Sequence, residues 1–220
     1  MELRHIELPG HSLKAEIANA LTHGIGAALS VVALVLMVVS ASVAGDPYRI
    51  VGASIFGAAL VMLYSVSTLY HAVPALRWKR VLRLVDHSCI YVLIAGTYTP
   101  FTLVTLRGAW GWSLLGVIWG LAIAGILFKT VFIGRFKILS VGIYIGMGWL
   151  AVIAFGPIVR ALPPAGLFWV VAGGVMYTSG VVFYVWRKFP HHHAVWHLFV
   201  LAGSACHFIA VYRYVLPMTG

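Results

Sequence analysis

The chain has 220 residues, of which 62% are hydrophobic and only 9% are Asp, Glu, Lys or Arg. A soluble domain carries about 25% charged residues, so a soluble fold of this length has no means of hiding so much apolar surface, and lipid must solvate much of it. The formal net charge of +10 does not point to nucleic acid, because the basic residues sit in short gaps between apolar runs, where they orient the chain and meet anionic lipid headgroups.

The first fourteen residues are mixed polar, with Glu2, Arg4, Glu7 and Lys14. They lack the apolar core and small-residue cleavage site of a signal peptide. A bilayer core of about 30 Å takes about 20 residues of helix. Seven runs qualify. The first, 17–44, is closed by Gly45, Asp46 and Pro47, and the second, 48–73, is ended by Pro74. The third covers 84–106, the fourth 112–133 and the fifth 138–158. Pro163 and Pro164 precede the sixth, 166–186, and Pro190 precedes the seventh, 193–216. No linker is long enough to separate domains. The chain therefore reads as one all-α, seven-helix integral membrane domain over 1–220, with 1–15 as a short leading segment, placed in the cell (inner or plasma) membrane. Cys89 and Cys206 lie inside apolar spans without CxxC spacing and read as buried thiols.

The basic residues alternate between the two sides. Arg4, Lys14, Arg77, Lys79, Arg80, Arg83, Lys129, Arg135, Lys137, Arg187 and Lys188 fall on one, and Arg49, Arg107, Arg160 and Arg213 on the other. The positive-inside rule puts the richer side in the cytoplasm, so the N-terminus is expected inside and the C-terminus outside. G-protein-coupled receptors run the other way. Microbial rhodopsins need a Schiff-base lysine in the seventh span, and here that span holds none.

Ionisable groups inside a membrane are costly and mark functional sites by default. Glu16, His23, His71, Asp86, His87, His193, His197 and His207 are such groups. His71 lies on the last turn of the second span, with Ser67 four residues before it on the same face. Asp86 and His87 open the third span. His193 and His197 open the seventh, an i, i+4 pair that lets two imidazoles share one metal. Glu16, Asn19 and His23 form a polar stripe at the start of the first span. Three helices thus bring histidines and a carboxylate to one depth at the expected cytoplasmic end.

Imidazole suits zinc among other metals, and three protein ligands plus a water are the pattern of catalytic zinc. His71, His193 and His197 are the candidate ligands, with Asp86 hydrogen-bonding the water. His207 lies about 15 Å further along the seventh helix, too deep to join them. Plainer readings stand beside these. An HxxxH pair also occurs as interface decoration, and His191 and His192 read as solvated loop residues. His87 and His207 fit helix contacts, Glu16 fits a helix cap, and Ser67 fits a bond back to its own helix.

Four ordered motifs on four helices resemble the PAQR/hemolysin III family, which includes adiponectin and progestin receptors and many bacterial members. They are Glu16-Ile-Ala-Asn19-Ala-Leu-Thr-His23, Ser67-Thr-Leu-Tyr-His71, Asp86-His-Ser-Cys-Ile-Tyr with Ala95-Gly96-Thr97-Tyr98-Thr99-Pro100-Phe101, and His193-Ala-Val-Trp-His197 with His207-Phe208. The resemblance covers nearly the whole chain, and the short loops look like the bacterial hemolysin III branch. It implies a zinc ion near the cytoplasmic side held by His71, His193 and His197. It also implies Asp86 at the zinc-bound water and Ser67 as the serine of the Ser-x-x-x-His element. The wider superfamily includes alkaline ceramidases, so the implied chemistry is hydrolysis of a lipid amide or ester, with a membrane lipid as substrate and a role in membrane-lipid homeostasis. Asp86 then acts as proton acceptor and Ser67 as oxyanion donor.

Other functions stay open at this point. A structural zinc would staple the second, third and seventh helices of a non-catalytic, receptor-like regulator. A membrane-lytic pore follows the family name, but pore-forming toxins generally need a soluble form, and this chain shows neither signal peptide nor polar cover. A transporter would use the Glu16–His23 stripe as a proton relay.

Overall fold

The structure is a computed structural model that describes residues 8, 10, 12–132, 135–186 and 188–217; Glu2, Arg4, Glu7 and Arg187, and the end of the fourth run at 133, lie outside the described residues. In chain order the helices are α1 (Leu13–Ala44), α2 (Pro47–Ala72) and α3 (Leu76–Pro100), which continues as a π-helix (Phe101–Thr105). Then come α4 (Ala109–Val131), α5 (Lys137–Gly148), a 3-10 stretch (Leu150–Ala154) and α6 (Phe155–Ala161). The last two are α7 (Pro164–Val185) and α8 (His192–Tyr214). No strand occurs among the described residues. Seven of these units are long and apolar enough to cross a membrane, with α5 to α6 counting as one. Leu21 on α1, Leu127 on α4 and Ile153 in the fifth span stand 61%, 60% and 70% exposed. Such outward apolar faces need lipid, and the chain is a multi-pass membrane protein.

Local chemistry sets the helix ends. Ser12, not Glu16, caps α1, its hydroxyl accepting from the Ala15 N–H at 3.3 Å. Gly45 closes α1 in the left-handed region at φ 69°, and its N–H reaches the Ala41 and Ser42 carbonyls. Asp46 then caps α2 through the Tyr48 N–H at 3.0 Å, with Pro47 in the first turn. Beside it, Arg49 donates to the carbonyls of Val215 at 2.8 Å, Leu216 at 2.6 Å and Pro217, which ties the end of α8 to the start of α2.

Two spans depart from the sequence reading. The third helix begins at Leu76 rather than at 84, so Arg77, Lys79, Arg80 and Arg83 lie on its first turns and not in a gap. Nothing after Pro74 breaks helical hydrogen bonding there, and Lys and Arg are good helix formers whose stems lie along apolar surface. The fifth span is not one helix but is broken at 150–154. Pro157 has no N–H for the carbonyl four residues back, and its ring crowds that carbonyl. Tyr98 on α3 fills the break. Its hydroxyl donates toward the Met147 and Gly148 carbonyls at 3.0 and 2.8 Å and accepts from the Ala151 N–H at 2.9 Å.

The helices α2 and α3 approach closely. A Cβ at Gly96 would lie 2.7 Å from the Ala59 Cβ, and one at Gly52 would lie 2.9 Å from the Pro100 Cα. Small residues at such contacts let backbones meet in lipid.

Candidate metal centre

At the end of the bundle where α1 begins, His71 of α2 and His193 and His197 of α8 come together. One nitrogen from each lies within 4.8 Å of the other two. The ring centroids of His193 and His197 are 4.6 Å apart, and those of His71 and His193 5.1 Å. The i, i+4 spacing on α8 puts two imidazoles on one face, and the last turn of α2 delivers the third.

Each of two rings is held from behind. The Nδ1 of His71 lies 2.6 Å from Glu16 Oε2, and Glu16 Oε1 lies 3.0 Å from Lys79 Nζ. A carboxylate accepts, so Nδ1 carries the proton and Nε2 is left with its lone pair. That Nε2 is buried and has no hydrogen-bond partner. Asn19, 1% exposed, sits 3.4 Å from the same Nδ1. The Nδ1 of His197 lies 3.1 Å from Thr22 Oγ1, whose own proton goes to the carbonyls of Ala18 and Asn19 at 2.9 Å. Thr22 therefore accepts from His197, again freeing Nε2 as a donor atom for a ligand. A carboxylate or hydroxyl behind an imidazole is the usual outer support of a metal-binding histidine. The donor set, the orphaned nitrogen and the outer supports together fit a metal of the imidazole-binding class.

Asp86 stands beside this group rather than in it. It is buried on α3, faces Ser67 and the His71 ring, and lies 3.5 Å from His87 Nδ1. His87 donates that nitrogen's proton to the Arg83 carbonyl at 2.8 Å. Ser67 is buried one helical turn from His71 and lines the same cavity as Asp86. His23 is buried with its ring stacked on His197, centroids 3.4 Å apart. His192 opens α8 rather than preceding it, and its Nδ1 bonds the Phe183 carbonyl at 3.1 Å, whereas His191 is exposed. His207 lies well away along α8.

Glu16 and Thr22 are the site residues whose roles the sequence did not disclose. Glu16 showed as a member of a polar stripe, with a helix cap or a proton relay as its readings, not as a support for His71. Thr22 gave no signal, since its partner lies 175 residues away.

A cavity of about 260 Å³ starts at this cluster, where Ser67, Asp86, His193 and His197 line it. It follows α3 as far as Leu106, about 30 Å at helical rise. Beyond the polar end its walls are chiefly Leu, Ile, Val and aromatic side chains from α3, the fifth span and α7.

The haemolysin-III related family profile matches residues 11–208. The chain is 48% identical over 205 residues to hemolysin-3 of Bacillus cereus, which covers 93% of this chain and 94% of that protein. It is 48% identical over 207 residues to a hemolysin-3 homolog of Bacillus subtilis (strain 168), covering 94% and 97%. Monocyte to macrophage differentiation factor of Homo sapiens is 30% identical over 207 residues, covering 90% and 83%. No solved structure matches the chain.

Proposed function

The chain belongs to the haemolysin-III related family, and from that premise we propose that it is a zinc-dependent hydrolase of a lipid amide or ester, working at the cytoplasmic leaflet in membrane-lipid homeostasis. The observation that carries this reading is the orphaned, buried Nε2 of His71, held toward two further imidazoles by a carboxylate on its far side.

His71, His193 and His197 would hold the ion. A zinc ion held there would supply Lewis-acid chemistry, polarising a carbonyl oxygen and making water more acidic. The protein's own groups do the rest. Asp86 accepts the proton of the attacking water as its oxygen bonds to the carbonyl carbon, and returns that proton to the departing nitrogen or oxygen. Ser67, buried one turn before His71, donates to the developing oxyanion. Glu16 and Thr22 fix the tautomers of His71 and His197. The apolar cavity takes the acyl chain, which arrives sideways from the inner leaflet, and the basic first turns of α3 meet anionic headgroups.

The test uses purified protein with metal content verified at about one zinc per chain. Incubation with ceramides, acyl amides and acyl esters should release fatty acid, seen by mass spectrometry. Asp86→Asn should keep the metal and lose at least about a hundredfold in turnover. A zinc-loaded wild type that cleaves none of these lipids sinks the hydrolase reading. The Lys79–Glu16–His71 line, which joins α1, α2 and α3, favours a second reading in which the metal only braces the bundle. Histidine-to-alanine variants that unfold in detergent, together with an inactive wild type, would support it.

A further inference from the structure

The imidazole cluster is buried unequally. His71 and His197 are 3% and 2% exposed, while His193 is partly exposed. Behind His71 stand Glu16 and Lys79, whose ammonium repels a cation. The cavity is chiefly apolar, a costly path for a hydrated ion. The way in past His193 is left, and His193 stands on the first turn of α8, directly after two histidines that the proposed reaction leaves idle.

His192 has the build of a ligand rather than of a loop residue. Its Nδ1 lies 3.1 Å from the Phe183 carbonyl. A carbonyl only accepts, so Nδ1 carries the proton and Nε2 has the lone pair. A backbone carbonyl behind an imidazole is one of the supports that metal-binding histidines use. Two imidazoles on one tetrahedral zinc, each nitrogen about 2.0–2.1 Å from it, have ring centroids about 5 Å apart. The centroids of His192 and His193 are 6.2 Å apart, so about 1 Å of side-chain movement lets the two share an ion. His191, one residue earlier, is exposed and caps α8 at φ 50°.

Charge argues the same way. Among the described residues this end of the bundle has two carboxylates, Glu16 and Asp86. The first is committed to His71 and Lys79, and the second is buried beside the cavity. Arg77 and Lys188 are exposed here and repel a dication. Imidazole ligates in its neutral form, so it can capture a cation on a basic face.

We propose that His191 and His192 form an entry station for the metal: they take a divalent, imidazole-binding cation from solution and pass it to His193. The proposal rests on the reading of the three-histidine cluster as a metal site. At capture, imidazole lone pairs displace water molecules from the cation. At transfer, a nitrogen of His193 replaces that of His192, with no change of oxidation state. An ion held one residue away stands at an effective concentration of about millimolar, far above that of the dilute ion in solution.

The test follows exchange of radiolabelled zinc into the purified, zinc-loaded full chain, with affinity measured separately by chelator competition. A station on the path speeds entry and exit alike, so its loss slows exchange without weakening the site. His192→Asn is the informative variant, because its amide still donates to the Phe183 carbonyl while the ligating nitrogen is gone. Exchange in His192→Asn is expected to be at least about tenfold slower than in the wild type, at unchanged affinity. His191→Asn should slow it too, by less. An unchanged exchange rate in folded His192→Asn overturns the proposal. So does weaker affinity with faster exchange, which would make His192 a support of the cluster instead. Should His192→Asn not fold, His191→Asn, at its exposed position, decides by whether exchange slows. A wild type that holds no zinc defeats the metal reading and this proposal with it, a result distinct from unchanged exchange.

Discussion

The two sides of the cavity are built on opposite rules. On one side α2, α3 and α8 bury 50%, 61% and 44% of their spans, with α1 laid over their outer face at 17%; the fifth span and α7 bury 17% each. Glycines separate α2 and α3 from the fifth span. Gly52 and Gly96 are contact points where a methyl group would collide with the neighbouring helix, whereas Gly142, Gly146 and Gly148 face open space. Polar side chains follow suit. His71 and His197 are each fixed by a partner on α1, while the gap in the broken fifth span is bridged by the hydroxyl of Tyr98. The difference teaches that imidazole geometry is set by a rigid frame, and that the opposite wall is free to adapt to what fills the cavity. Sites held to fixed geometry belong on rigid elements, and elements that move come from the least stable regions of a fold.

The strongest way to break that comparison is at the frame. His197→Ala should abolish metal binding, taking bound metal from about one per chain to near none by elemental analysis, because two imidazoles make a poor site. Glu16→Gln is the sharper test. It removes the charge behind His71 while keeping the shape, and should weaken metal affinity by about 10–100-fold in chelator competition. An unchanged affinity would mean that the carboxylate only pairs with Lys79. On the adaptable wall, Tyr98→Phe strips the break in the fifth span of its partners. It should cost about 2 kcal/mol of stability in detergent unfolding with little effect on metal content. The glycine pair gives effects of similar or smaller size. Gly96→Ala should destabilise by about 1–3 kcal/mol through overpacking. Gly146→Ala should leave stability within about 1 kcal/mol of wild type, on the stabilising side. Equal costs at the two positions would contradict the contrast.

Much of the frame is legible in the sequence because membrane helices announce themselves by length and hydropathy. His71, His193 and His197 are legible because imidazoles are costly in lipid and two of them share a helical face. The supports behind them are not. Glu16 and Thr22 lie 55 and 175 residues from their partners, and no local pattern encodes the register between α1 and α8. The start of α3 is hidden because hydropathy finds where hydrocarbon begins, not where a helix does. The break in the fifth span leaves one local trace, Pro157; the hydroxyl that fills the gap comes from another helix.

The grip of Arg49 on the last carbonyls of α8 has a mechanical corollary. That helix is clamped at both ends: near its start by the imidazole contacts to α1, and at its finish by a guanidinium rooted in α2. It is a strut, unable to slide like a piston or to swing out as a door. A lipid entering the interior in the proposed reaction would pass on the other side of the bundle, where the fifth span is already segmented.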